Sequence, residues 1–404
     1  MTKEFILKSM YLNYSLKVTV FLVLPWLAFG ANVLRSTNIT LGPGEPCNSA
    51  KCIPPNCRCS GLPLPLPEFR GKEQQIPQFV TVTFDDAVTS LNFAQYKELF
   101  DGLINADHCA ARATFYVSHD YTDYSKVNAL YTEGHEIALH SVTHGQGTDY
   151  WRNADVATIM REFGTEIRIL EAFAKVNPKH IRGMRLPFLQ ISGNTSFEAA
   201  KRLGLTYDAS WPTRGYHGLP MWPYTLDYLS VQDCHIGPCP TAAIPGVWIS
   251  PMVTWTDTRG YSCSMIDGCV YPPDDDLDAL FAWMLENFNR HYNANRAPFG
   301  MYLHSAWFAR GKNNLPALKK FLHYVKLLDD VYITTTSRVI QYMRQPVIGK
   351  PFKRCIRKPK TTACIPRTCS VVKQSTGEQR YMTVCGKCPS VYPWLDNPLG
   401  LPNN

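Results

Sequence analysis

The chain has 404 residues, is 45% hydrophobic and carries a formal net charge of +8, enough for one sizeable core with small appendages. The charge sits in the tail: residues 345–404 hold ten Lys/Arg against only Glu378 and Asp396, so the rest of the chain is neutral. That tail is threaded with cysteines and prolines, which favours a solvated, disulfide-stapled wrap and excludes nucleic acid as the expected partner. After residue 30 no stretch is long and apolar enough to span a bilayer.

Residues 1–30 read as an export signal. Lys3, Lys8 and Lys17 precede the apolar run from Val18 to Phe29, and Ala28-Phe29-Gly30 gives a small-x-small cleavage pattern. The run is too short for a membrane anchor and contains Pro25. Export agrees with fourteen cysteines, read as disulfides. Residues 31–75, with Cys47, Cys52, Cys57 and Cys59, form a stapled extension. Cys234, Cys239, Cys263 and Cys269 also pair among themselves. Cys109 then needs a partner among the five C-terminal cysteines. Asn38-Ile-Thr40 and Asn194-Thr-Ser196 fit glycan acceptors.

From about residue 76 strands alternate with helices. Strands are expected at Phe79–Phe84, Ala113–Val117, Glu136–Leu139, Gly183–Leu186, Val247–Val253, Gly300–Leu303 and Val331–Thr335. Amphipathic helices are expected at Phe93–Ile104, Val156–Ala174, Ser196–Leu203, Asp276–Tyr292 and Leu315–Leu328. In the second of these, Ile159, Phe163, Ile167, Leu170 and Phe173 recur at helical spacing and are core residues. The alternation predicts an α/β fold, a distorted (β/α) barrel of about seven repeats, with an open doubly wound sheet as the alternative. The expected organisation is signal 1–30, extension 31–75, catalytic domain 76–345 and basic Cys-rich wrap 346–404. The Pro-, Gly- and Trp-rich stretch from about Tyr207 to Tyr271 interrupts the rhythm and is read as a functional loop stiffened by four cysteines.

Asp85, His140, Arg185 and His304 each end a predicted strand, and in a barrel such ends converge on one face. His140 and His144, four apart, have the spacing of zinc-protease ligands, but Ser141 stands where those proteases carry their basic Glu. Asp85-Asp86 supplies both missing parts: one carboxylate completes a two-His, one-carboxylate metal site, and the other serves as base. Pro187 forces its predecessor Leu186 extended and so fixes the turn after the strand, where Arg185 can pair with Asp85. His304 is the candidate acid for a departing amine.

In this set of motifs the chain resembles the polysaccharide deacetylases of carbohydrate esterase family four, and within them the insect chitin deacetylases, over residues 45–395. Thr83-Phe-Asp-Asp86 resembles the first family motif and implies Asp85 as base and Asp86 as ligand. His140-Ser-Val-Thr-His144 resembles the second and implies His140 and His144 as the other ligands, of Zn2+, with Co2+ or another divalent ion as alternatives. Arg185-Leu-Pro-Phe188 resembles the third, with Arg185 orienting the base and Phe188 lining the acetyl pocket. Asp208-Ala-Ser-Trp211 resembles the fourth, with Asp208 tuning the acid and Trp211 walling the groove. Leu303-His304 resembles the fifth, with Leu303 in the acetyl pocket. Pro220–Tyr228 and Asp233–Cys239 resemble the insect branch. Trp222 and Trp248 are candidate sugar-stacking rings.

Two positions depart from the family: Ala87 replaces a common Gly, and Trp248-Ile-Ser-Pro251 lacks the acidic residue expected after the Trp. No six-cysteine chitin-binding module precedes the domain. The implied activity is hydrolytic removal of N-acetyl groups from N-acetylglucosamine units of chitin or its oligomers. The alternatives are a catalytically silent chitin-binding protein, or a deacetylase of another acetylated polymer. The resemblance implies an extracellular site, at the gut lining or peritrophic matrix. The mature chain is expected to be a monomer, and the tail is a candidate contact for an accessory protein that gives access to crystalline chitin.

Overall fold

The computed structural model describes residues 41–216, 218–360 and 363–402; the predicted export signal and the Asn38 acceptor lie outside them. The strand Gln78–Asp85 (β1) is buried along its whole length, so both of its faces pack. Val80, Val82 and Phe84 join the cluster shared with the helices, while Phe79 joins a second cluster with Tyr116, Tyr207, Trp222 and Trp248. By alternation, Thr81, Thr83 and Asp85 share the inner face with Phe79.

Eight more strands complete the sheet: Thr114–Val117 (β2), Glu136–Leu139 (β3), Gly183–Met184 (β4), Tyr207–Asp208 (β5), Tyr224–Thr225 (β6), Trp248–Ile249 (β7), Phe299–His304 (β8) and Val331–Ile333 (β9). Their order is β8-β1-β2-β3-β4-β5-β7-β6, with β9 against the first half of β1. All pairs are parallel except β6 with β7. The sheet curls, yet no ladder joins β8 to β6, so the expected barrel is a distorted and open one. The predicted strand Val247–Val253 is interrupted: Ser250 and Pro251 separate β7 from Met252–Val253, which pairs with Pro212–Thr213. Pro251 has no N–H to continue a ladder. Across the open side, the Trp255 indole N–H donates to the Gly300 carbonyl at 2.8 Å. Gly183 is required by a close approach inside the curl, since a Cβ there would lie 2.0 Å from the Tyr207 ring.

The helices that flank the sheet are Ser90–Phe100 (α1), Tyr124–Glu133 (α2), Val156–Ala174 (α3), Asn194–Arg202 (α4), Leu277–Tyr292 (α5), Asn314–Val325 (α6) and Thr336–Arg344 (α7). Side chains start several of them: Thr89 and Asn92 form a capping box on α1, and Asp123, Asp155, Asp276 and Thr335 cap α2, α3, α5 and α7. The five expected helices are present with ends shifted by a few residues; α2 and α7 were not foreseen.

The disulfides are Cys47–Cys59, Cys52–Cys57, Cys109–Cys355, Cys234–Cys239, Cys263–Cys269, Cys364–Cys385 and Cys369–Cys388. Cys109 does reach the C-terminal group. The basic tail contains an antiparallel hairpin, Pro366–Lys373 (β10) with Glu378–Cys385 (β11). It buries Cys369, Val371, Met382 and Val384 in the same cluster as α2 and α3. Among the described residues no helix is long and apolar enough to cross a membrane.

Candidate active site

The register of β1 and β8 pairs Asp85 with His304, so the two carboxylate and histidine strand ends lie side by side. Asp85 is buried at the end of β1. Asp86, one residue past the strand, adopts φ 78, a left-handed conformation that frees it from strand alternation. Both carboxylates therefore face one place. Asp86 Oδ1 lies 3.8 Å from His140 Nε2 and 3.3 Å from His144 Nε2. One ligand atom from each of the three residues falls within 4.8 Å of the others. Left-handed backbone recurs around them, at Ser141, Phe188 and Leu189, which is where strain tends to collect.

The donor set fits a divalent ion. His140 Nδ1 lies 2.7 Å from the Arg185 carbonyl, which fixes Nδ1 as the protonated nitrogen and leaves the Nε2 lone pair facing the carboxylate. Burial, and then the neighbouring His140, push His144 down to about 4, so it is neutral and able to ligate at neutral pH. The loop that carries both histidines is cradled from α3. Glu166 accepts from the N–H groups of His140 (3.2 Å) and Ser141 (2.7 Å), and Glu162 accepts from those of Val142 (3.1 Å) and Thr143 (2.9 Å). Glu162 also accepts from the Thr143 hydroxyl and from Tyr150, the latter at 2.8 Å. Both glutamates are buried.

Arg185, fully buried, donates to Asp85 Oδ1 at 2.6 Å, to Thr83 Oγ1 at 3.0 Å and to the Ala209 carbonyl at 2.8 Å. Its guanidinium stacks 4.0 Å from the Tyr116 ring centroid. Burial alone would raise the Asp85 carboxyl, but Arg185, His140 and His304 outweigh it and hold Asp85 below the ordinary carboxylate range. The base candidate is thus an ionised carboxylate 3.9 Å from His140 Nε2.

His304 stands on the other side, its Nε2 3.9 Å from Asp86 Oδ2. Its Nδ1 lies 2.8 Å from Asp267 Oδ2. Burial opposes the imidazolium, but the Asp267 bond and the charges of Asp85 and Asp86 prevail and raise His304 to about 9. This corrects one expectation: Asp208 is not the partner of the acid candidate. Its carboxylate is buried and taken up by the N–H (2.8 Å) and hydroxyl (2.6 Å) of Ser210, and burial pushes it up to about 6. Asp267 lies on the short loop closed by Cys263–Cys269, and nothing local in the sequence marked it.

The expected groove residues separate. Phe188 is 46% exposed, with its ring 5.2 Å from that of His144. Trp211, Trp222 and Trp248 are buried, and none offers a face to a bound sugar. Trp211 packs near Phe197 and donates to the Asp233 carbonyl. Trp222 donates to the Asn295 carbonyl inside the curl. Leu303 is fully buried in the helix-side cluster with Phe84, its register partner.

Comparison with known proteins gives the family. The polysaccharide deacetylase family model matches residues 72–208. The chain is 42% identical over 362 residues to "Chitin deacetylase 8" of Bombyx mori, covering 88% of this chain and 93% of that protein. The chain belongs to the chitin deacetylases, a branch of the polysaccharide deacetylase family. A second relative, "Chitin deacetylase 1" of Bombyx mori, is 33% identical, covering 88% of this chain and 68% of that protein. A solved polysaccharide deacetylase from Mycobacterium smegmatis aligns at 19% identity and TM-score 0.43, over 78% of this chain and 99% of that one. The matched model contains Asp85, Asp86, His140, His144 and Arg185 and stops at Asp208, so the family match does not extend to Asp267 and His304.

Proposed function

We propose that the protein is a secreted, zinc-dependent hydrolase that removes N-acetyl groups from N-acetylglucosamine units of chitin or its oligomers and releases acetate. The observation that carries this is the placement of two oppositely tuned pairs, Asp85–Arg185 and Asp267–His304, on either side of the Asp86, His140 and His144 triad. When bound, the ion polarises the acetamide carbonyl and lowers the pKa of water at the triad. Asp85, kept ionised by Arg185, takes the proton from the attacking water. Attack on the carbonyl carbon places negative charge on its oxygen. The Phe188 N–H, which has no protein acceptor among the described residues, is a donor for that charge. His304, protonated at neutral pH through Asp267, gives its proton to the departing amine, and acetate and a glucosamine unit remain.

The test is acetate release from soluble N-acetylglucosamine oligomers by purified mature protein, with zinc and with chelator. Release that is lost in chelator and in Asp85→Asn is the expected result. Oligomer binding without release under any divalent ion would replace this reading with that of a silent binding protein.

A further inference from the structure

We infer that Tyr121, on the loop after β2, is a sugar-binding subsite held in place by the C-terminal wrap. The inference rests on the proposed function and locates a second sugar unit of the chain whose acetamide lies at the triad. The loop Ser118–Asp123 leaves the sheet between the two strands that lead to the triad and extends their hydrogen bonding. The Ser118 N–H donates to the Asp86 carbonyl at 3.5 Å and the His119 N–H to the Ser141 carbonyl at 3.3 Å. The loop is also tied to the β1–α1 connection, where the Asp123 N–H donates to the Val88 carbonyl at 2.7 Å. Tyr121 thus stands on the same rim as Asp86, three residues from a backbone bond to it.

Tyr121 is 71% exposed, the most exposed aromatic residue among those described. An exposed ring alone is ordinary, but here the ring is also fixed. Tyr121 holds φ 69, a left-handed conformation that is unfavourable for a bulky residue. The two preceding residues are fastened to the wrap: His119 Nε2 lies 2.7 Å from the Pro393 carbonyl, and Asp120 accepts from the Tyr392 hydroxyl at 2.8 Å. Arg380 on β11 sits 5.0 Å from the Tyr121 ring centroid. A ring ordered in advance loses little freedom when a ligand arrives. An exposed aromatic face with a hydroxyl and a guanidinium at hand matches an uncharged pyranose, apolar on its face and hydroxylated at its edge. The adjoining unit of an N-acetylglucosamine chain has that chemistry. The wrap, although it supplies no group to the triad, would then help to set the preference for chain length.

The experiment compares zinc-loaded wild type, Tyr121→Ala and Tyr121→Phe in acetate release from the N-acetylglucosamine hexamer. In the Asp85→Asn background, binding of the hexamer and of single N-acetylglucosamine is measured by NMR titration. The expected result is an about fivefold rise in hexamer KM and Kd for Tyr121→Ala, with kcat unchanged, single-sugar binding unchanged, and Tyr121→Phe close to wild type. An unaltered hexamer affinity in Tyr121→Ala, or an equal loss for the single sugar, would overturn the inference. If wild type binds the hexamer but releases no acetate, the proposed function falls while the binding arm still decides the role of Tyr121.

Discussion

At the scale of single residues, the candidate acid His304 owes its charge to Asp267 and the carboxylates beside it. A histidine with an ordinary pKa near 6.5 would be mostly neutral at pH 7 and above and so a poor proton donor. The charge of Asp267 at 2.8 Å, with Asp85 and Asp86 behind it, reverses that and brings His304 to about 9. Asp267→Asn keeps a group of the same shape but removes the charge. We predict a fall in kcat of about 10- to 100-fold and an alkaline limb of the pH–rate profile that moves to lower pH. Asp208→Asn, at the buried end of β5, should leave that limb in place. A pH–rate series on the two variants separates them, and an unmoved limb in Asp267→Asn would return the role to another group. Arg185→Lys makes a second residue-scale case. Lys keeps the charge but cannot bond Asp85, Thr83 and the Ala209 carbonyl from one plane. Activity should fall by at least tenfold with oligomer binding retained, as measured by acetate release and titration.

At the scale of elements, the loop that carries the two candidate metal-binding histidines is held by a helix outside the triad. Glu162 and Glu166, one turn apart on α3, accept four consecutive backbone N–H groups of the His140–Thr143 loop. Such outer support is commonly worth 10- to 100-fold in metal affinity. Glu166→Ala is therefore expected to weaken zinc by about that factor in a competition titration with a chromophoric chelator, and Glu162→Ala similarly. Unchanged zinc affinity would show that the loop holds its shape without them. The helix was legible in the sequence from Ile159, Phe163, Leu170 and Phe173, but the two glutamates were not. Apolar periodicity treats every charged position as solvent-facing, and only the tertiary contact shows that two of them point inward. The same limit explains the other differences. Asp85, His140, Arg185 and His304 were legible because each closes an apolar strand, and parallel register then gathers strand ends. Asp267 sits on a loop that must fold back over β8, a placement no local pattern encodes. Trp211, Trp222 and Trp248 have the composition of a binding groove, yet Trp222 and Trp248 fill the core inside the curl and Trp211 the helix-side cluster.

At the scale of the whole molecule, several contacts fasten the basic C-terminal segment to the rest of the fold. Cys109–Cys355 ties its beginning, Arg161 pairs with Asp396 near its end, and His119 anchors it beside the rim. His119 is buried, with Nδ1 2.6 Å from the Tyr124 hydroxyl and Nε2 2.7 Å from the Pro393 carbonyl. The neutral ring satisfies both contacts, with Nε2–H donating and Nδ1 accepting. Burial lowers its pKa to about 4; Asp120 and the Pro393 carbonyl oppose the shift, while Lys373 and Arg380 add to it. The folded pKa thus lies below the unfolded value near 6.5. Between those two values the unfolded chain binds the extra proton, so stability is full above pH 6.5 and declines as the pH falls toward 4. The expected loss is on the order of 3 kcal/mol for this one group. Other titrating groups contribute to any acid slope, so the measurement is the difference between wild type and His119→Gln in urea unfolding from pH 7 to pH 4. Gln retains a donor for Pro393 and an acceptor for Tyr124 but does not titrate. The two stabilities should converge as the pH drops; parallel curves would mean that His119 takes up its proton alike in the folded and unfolded states and that acid releases the wrap, if at all, elsewhere.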